Sequence, residues 1–338
     1  MTQTTKSVHD LQQIHQIMQK YKATNFTTPL FHVAITLLLL LACLVGIKRN
    51  KHPLIIGAFV LLLSFTSVRM FIIFHDMIHK SFFPSQERET KTNGVNFYTS
   101  FLLQPITFFS SFKWNRGHSH HHAIHGNSNE KDETKTVINV SQYNRLSPFY
   151  QSLYDFFHLP FFFFPLLSLY VFFIQNIIWV DLQFLLMIGL YNFAIFQYGG
   201  ARLLMYSLFS FFLSGTFGTM LFHLQHQVNE GYYKPFDNTD ENQKKNADIK
   251  GSSVLKIPDW LSFFTFGIEY HNVHHLDPGV PGYNLRNCYE ELVDKKWIDP
   301  HRVGYVQSFK SLFHCYYDDI DTHRYKSQSF CRWLGLEA

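Results

Sequence analysis

"LIIGAFVLLLSFTSVRMFIIFHDMIH", residues 54–79, joins a long apolar run to a pair of histidines, and that junction decides the fold. The run 54–74 matches the roughly 20 apolar residues that a helix needs to cross a bilayer core. His75 and His79 follow directly. On a helix, residues four apart share a face, so HxxxH presents two imidazoles together. Upstream, "LFHVAITLLLLLACLVGI" at 30–47 is a second spanning candidate, and only "KRNKHP" separates the two. They read as a tight helical hairpin. Downstream, the apolar territory 159–222 holds three more candidates, at 159–178, 180–198 and 203–222. The weaker run 97–112, broken by Pro105, suits the membrane interface.

Composition agrees with lipid contact. The chain carries 37 Phe, 18 Tyr and 5 Trp in 338 residues, yet only 16% are charged, against about 25% in soluble domains. The mean hydropathy of −0.06 leaves room for a sizeable polar region as well. That remainder falls at 75–158 and 223–338, and within it "DNTDENQKKNAD", 237–248, reads as a polar surface loop. The stretch before residue 30 is too long for a signal peptide's n-region. Cys43, Cys288, Cys315 and Cys331 show no paired spacing and read as reduced thiols. A formal charge of +4, dispersed along the chain, gives no argument for nucleic acid.

Histidine is the unusual residue, with 20 copies. Beside HDMIH, the stretch "GHSHHHAIHG" at 117–126 contains HxxHH at His118, His121 and His122. "FHLQHQ" brings His223 and His226 directly after the last apolar run, and "YHNVHH" repeats HxxHH at His271, His274 and His275. Each cluster is read as starting or following a membrane segment. Helices leaving the bilayer side by side can bring these faces to one point. His120 points off the face by helical geometry; His125 stays near it, as a substitute ligand or a supporting group. Asp76 is placed to accept a hydrogen bond from a ligand ring and orient it.

Imidazole suits iron, copper, zinc and nickel. One zinc needs four ligands and would leave most of these histidines unused. Two metal ions would use eight or nine, and two irons with many neutral nitrogen donors suit oxygen chemistry. A metal transporter is the competing class, but it should place ligands at mid-membrane rather than at the helix exits.

"FHDMIHKSFF", "HSHHHAIHGN", "HLQHQ", "GSSVLKIP" and "EYHNVHHLDPGVPGYNL" together resemble the membrane-bound fatty acid desaturases of the acyl-lipid type, which include bacterial Δ5 and Δ12 enzymes. The resemblance covers roughly residues 30–330. It implies an all-α integral membrane bundle of about four spans, with a cytosolic helical cap carrying a di-iron site. The implied ligands are His75, His79, His118, His121, His122, His226, His271, His274 and His275. His226 takes the place of the family's isolated ligand, and His223 stands where many relatives carry an aromatic residue, as a neighbour to the ligands. The implied reaction uses O2 and two electrons to remove two hydrogens from adjacent carbons of a fatty acyl chain, borne by a lipid or an acyl-CoA. Two departures bear on its outcome. After His226 the family often reads Phe-Glu, where Val228-Asn229 precedes Glu230 here. Before the last box it often has Gly-Asn, where this chain has Phe266-Gly267.

One shared centre requires all four clusters on one side of the membrane. The hairpin then places the N-terminal segment 1–29 on that side, and an even number of spans must separate His122 from His226. The reading is therefore spans near 30–47, 54–74, 180–198 and 203–222, with 159–178 interfacial or dipping. The cap is 75–158 with 223–330, and 331–338 is a tail. Most of the 29 Lys and Arg lie on the site side, although "KRNK" lies opposite. Arg69, inside the second span, reads as snorkelling to the interface or as a contact for a head group or ligand carboxylate. No haem-binding HPGG segment and no cysteine cluster occur, so the electron donor is expected to be a separate ferredoxin or cytochrome b5. A cytosol-facing site fits the plasma membrane and the endoplasmic reticulum alike. An acyl or alkyl hydroxylase on the same scaffold is the alternative outcome.

Overall fold

The computed structural model describes residues 5–85, 94–127, 129–130, 137–171, 181–226, 236–237, 239–317 and 325–327. The fold is mostly helical, as expected. Helices α1 (Thr5–Gln19), α2 (Thr27–Arg49) and α3 (Pro53–Ile78) come first. Pro53 stands at the start of α3, where its missing N–H is no loss and its fixed φ suits a helix. α4 (Val95–Thr107) keeps Pro105 inside it, ends at left-handed Phe108, and packs on α3. α5 (Ser111–Ile124) follows, capped by Ser110.

Among the described residues, three helices are long and apolar enough to cross a membrane: α2, α3 and a 45-residue element, Leu182–His226. The last breaks at Gly200 (φ 69°), a conformation that glycine adopts without strain. Its start and end both lie near the histidines: Asp181 accepts from Ser110 Oγ at 2.8 Å, and His226 meets His271. Its middle lies at the other end of the bundle, where Arg202 donates to the carbonyls of Ile47 and Asn50 and Lys48 sits 3.7 Å from the Tyr198 ring. The element is therefore a hairpin of two arms. The rise from Leu182 to Gly199 is about 27 Å, close to a bilayer core. Together with α2 and α3 it gives four antiparallel segments.

Pro148–Phe157 and Pro160–Leu169, α7 and α8 after a short α6 (Val140–Asn144), meet at a bend of 80°. α8 runs along the second arm of the hairpin, from the Thr219–Phe164 contact to the Ser168–Phe212 contact. Its length is about 15 Å, too short to cross. Most of the remainder of 159–178 is outside the described residues.

The rest is the cap. Labelling the long hairpin α9, it contains α10 (Glu241–Lys250), α11 (Asp259–Thr265), α12 (His271–Leu276), α13 (Gly282–Asp294) and α14 (Tyr305–Ser311). Two small sheets, which the sequence reading did not foresee, pin it: Ser253–Leu255 pairs in parallel with His301–Val303, and His314–Tyr317 lies between Ile138–Asn139 and Tyr325–Ser327. The N-terminal helix packs here too. Ile14, Ile17 and Met18 are buried, and Lys20 and Tyr21 bond Glu291.

Two expectations need correction. The polar stretch 237–248 is not a loop; most of it forms α10, begun by Asp240, whose carboxylate accepts from the Asn242 and Gln243 amides. Arg69 neither snorkels nor meets a carboxylate. It is buried and donates to Thr36 Oγ1 at 2.9 Å and to the Phe263 carbonyl, with His32 Nδ1 at 3.0 Å, tying α2, α3 and α11 together.

Candidate metal centre

Helical spacing delivers the histidines, but it sorts them into two nests instead of one face. Five rings form the first nest. His75 comes from the last turn of α3, His79 from its C-cap, His118 and His122 from α5, and His274 from α12. One nitrogen from each lies within 4.8 Å of all the others. The Nε2 atoms of His75 and His118 are 2.7 Å apart, those of His118 and His122 3.2 Å, and those of His122 and His274 3.1 Å.

The second nest joins His121, His226 and His275. His271 completes it, with Nε2 2.8 Å from His226 Nε2 and 3.2 Å from His275 Nε2. Each HxxHH box thus gives its i, i+4 pair to one nest and its remaining histidine to the other. The nests abut, with the rings of His122 and His275 stacked at 4.3 Å. All nine expected ligands are brought together.

Burial sets the charge of these rings. It holds His118, His122, His271, His274 and His275 well below the ordinary histidine range, and neighbouring imidazoles push the same way. Each neutral ring carries one proton. Where the outer nitrogen holds it, the inner nitrogen presents a bare lone pair. Several lone pairs at 2.7–3.2 Å repel unless a proton or a cation lies between them. His79 Nε2 is buried with no hydrogen-bond partner. Such a donor set fits metal ions.

Supporting groups differ from ring to ring. Asp76 Oδ1 lies 3.2 Å from His75 Nδ1, and its Oδ2 accepts from the Gly282 amide at 2.7 Å. A side chain at Gly282 would strike the Phe266 carbonyl, with its Cβ only 2.3 Å away. His125 bridges His226 Nδ1 (3.2 Å) and Asp248 Oδ1 (3.3 Å). His223 is the correction. Its Nε2 donates to the Ser311 carbonyl at 3.0 Å, and its ring packs on Phe163 and Phe164. It ties α9 to α14 rather than a ligand to its neighbour.

Two residues were missed. Asp248 lies in the stretch read as a loop, with no histidine nearby in sequence. Asn272 occupies a variable position of its box, yet it is fully buried with no hydrogen-bond partner at Oδ1 or Nδ2. Phe266, the first residue of the pair that stands where the resemblance implies Gly-Asn, packs its ring on the Arg69 guanidinium, 4.6 Å away. A surface groove of about 600 Å³, lined by His52, Leu54, Ile55, Ala58, Phe59 and Leu62, is at the opposite end of α3 from His75.

Comparison with known proteins agrees with the geometry. A "Fatty acid desaturase" of Bacillus subtilis (strain 168) is 32% identical over 234 residues, covering 66% of this chain and 64% of that protein. The match therefore spans a little under two thirds of that relative's length. Shorter matches include the "Omega-6 fatty acid desaturase, chloroplastic" of Glycine max, 32% identical over 60 residues, 18% of this chain and 14% of the relative. The "sn-1 oleoyl-lipid 12-desaturase" of a Picosynechococcus species is 33% identical over 58 residues, 17% of each. The family profile described as "Fatty acid desaturase" matches residues 51–308, a stretch that holds both nests and all nine of their histidines. The chain belongs to the fatty acid desaturase family.

Proposed function

We propose that this chain is an O2-dependent desaturase that holds two irons, one per nest, and introduces a cis double bond into a fatty acyl chain. The observation that carries this reading is the pair of abutting imidazole nests at one end of an apolar helical bundle. When bound, the irons supply the O2 activation that removes two hydrogens from adjacent carbons. The protein supplies the rest. Neutral imidazole rings offer nitrogen donors without a net charge. Asp76 accepts from His75 Nδ1 and so leaves Nε2 free to ligate. An aromatic wall of Phe65, Phe217, Phe264 and Trp260 lines the junction of α3, α9 and α11. It offers an apolar flank to a saturated chain, which has no polar handle at the reacting carbons.

An acyl chain of a membrane lipid is the favoured substrate class, in keeping with the name of the Picosynechococcus relative; an acyl-CoA is the other. The site faces the cytosol, where a ferredoxin or cytochrome b5 can deliver electrons. Expression in a yeast or bacterial host, followed by mass analysis of its lipids, tests the reading. Acyl chains that lose two hydrogens support it; chains that gain one oxygen indicate the hydroxylase outcome. Unchanged lipids alongside an iron-loaded protein would remove it.

A further inference from the structure

We infer that Asp248 is a positioning residue for the second nest, acting on His226 through His125. The inference rests on the two-iron reading above. The geometry is a chain of three groups. His226 turns Nε2 toward the nest, 2.8 Å from His271 Nε2. Its Nδ1 lies 3.2 Å from His125 Nε2, and His125 Nδ1 lies 3.3 Å from Asp248 Oδ1. All three side chains are buried, Asp248 at 5% exposure and both histidines at 0%.

The protonation pattern follows from the ends. A ligating His226 uses its Nε2 lone pair, so its one proton is on Nδ1. That N–H donates to His125 Nε2. His125 then carries its own proton on Nδ1 and donates it to the carboxylate. Both tautomers are thereby chosen by Asp248, whose carboxylate, when ionised, can only accept. Lys244, one helical turn earlier, lies 2.6 Å from the same carboxylate oxygen and balances its charge. The carboxylate also lies 3.8 Å from His275 Nδ1, a second ring of the same nest. One further group competes for the role: the Gly251 backbone also hydrogen-bonds His226. If Gly251 alone held the ring, Asp248 would be dispensable.

Outer partners of metal-bound histidines typically alter metal affinity 10–100-fold. Dialysis of the purified full-length protein in detergent against a graded chelator, with iron per chain measured at each step, reads this directly. In Asp248→Ala, one of the two irons should leave at a chelator concentration about 10–100-fold below that needed for the unaltered protein, while the other is retained. His125→Ala should match it. The double variant should be no worse than either single, because both act through one chain. Asp248→Asn keeps an acceptor for His125 and should recover part of the loss. A Mössbauer spectrum of the half-depleted protein should show an isolated iron in place of a coupled pair. Unchanged retention in both single variants, or loss of both irons in parallel, overturns the role of Asp248. An unaltered protein that holds no iron sinks the functional reading itself, whatever the variants do.

Discussion

The two nests solve one problem with different means. The first has five imidazoles and a carboxylate, Asp76, next in sequence to its ligand and in direct contact with it. The second has four imidazoles, and its carboxylate reaches His226 only through another ring. Their shared design comes from the helix period: 118/122 and 271/275 are one turn apart, and 121 and 274 cross over to the other nest. Their difference comes from the elements beneath. α3 offers two histidines one turn apart, whereas α9 offers His226 alone because His223 is turned toward α14.

The largest test removes one ligand from each nest. His79→Ala leaves four nitrogens in the first nest, while His271→Ala leaves three in the second. Both variants should lose desaturation by more than ~100-fold, beyond the range expected for an outer partner. Their iron contents should nevertheless differ, with His79→Ala near two per chain and His271→Ala near one. Lipid analysis paired with elemental analysis checks this. Equal iron contents would show that the nests do not differ in reserve donors.

A smaller effect is expected at Asp76. Asp76→Ala frees His75 Nδ1 and leaves the Gly282 amide unpaired, so metal affinity in the first nest should fall about 10–100-fold. Asp76→Asn, which still accepts, should lose less. If chelator titration shows both variants as tight as the unaltered protein, direct contact with a carboxylate confers nothing on the first nest.

The same contrast explains what could be read in advance. The long apolar helices were legible because apolar length is a local property, and the nine histidines that the structure brings together were named by the family resemblance. Asp76 was legible because it adjoins its ligand. The splitting into two nests was not, since HxxHH alone says that three rings lie close, not which neighbours they meet. Asp248 was hidden for a physical reason. It sits on a ten-residue helix of mostly polar composition that buries only Asp248 and Ile249, so no apolar stripe announces it. Its partner His125 is 123 residues away. The reversal within α9 depends on backbone freedom at Gly200, and the reach of His223 on a carbonyl brought from α14. Both are tertiary facts.

Acid should separate metal-free from metal-loaded protein. Burial holds His125 down to about 4, against an unfolded value near 6.5, and lowers His118, His122, His271, His274 and His275 as well. Below 6.5 the unfolded chain takes up protons that the folded one refuses. Stability of the metal-free protein should therefore be flat above 6.5, fall as pH drops below it, and go on falling until the folded rings titrate. Each such ring contributes about 1.4 kcal/mol per pH unit within its window. Thermal unfolding in detergent between pH 7.5 and 5 reads the slope. A metal-free protein equally stable across that range would mean that these rings are not buried neutral.

His223 gives the smallest expected effect on the metals and the sharpest boundary for the comparison. Its ring already packs on Phe163 and Phe164, so His223→Phe suits the surroundings in shape. What it removes is the donor to the Ser311 carbonyl, and leaving such a buried acceptor unpaired costs about 1–3 kcal/mol. Iron content and the product pattern should stay as they are, because the side chain joins α9 to α14 and reaches neither nest. Unfolding and elemental analysis of one preparation suffice. Loss of iron without loss of stability would bring His223 back to the second nest and give it the fifth nitrogen that now distinguishes the first.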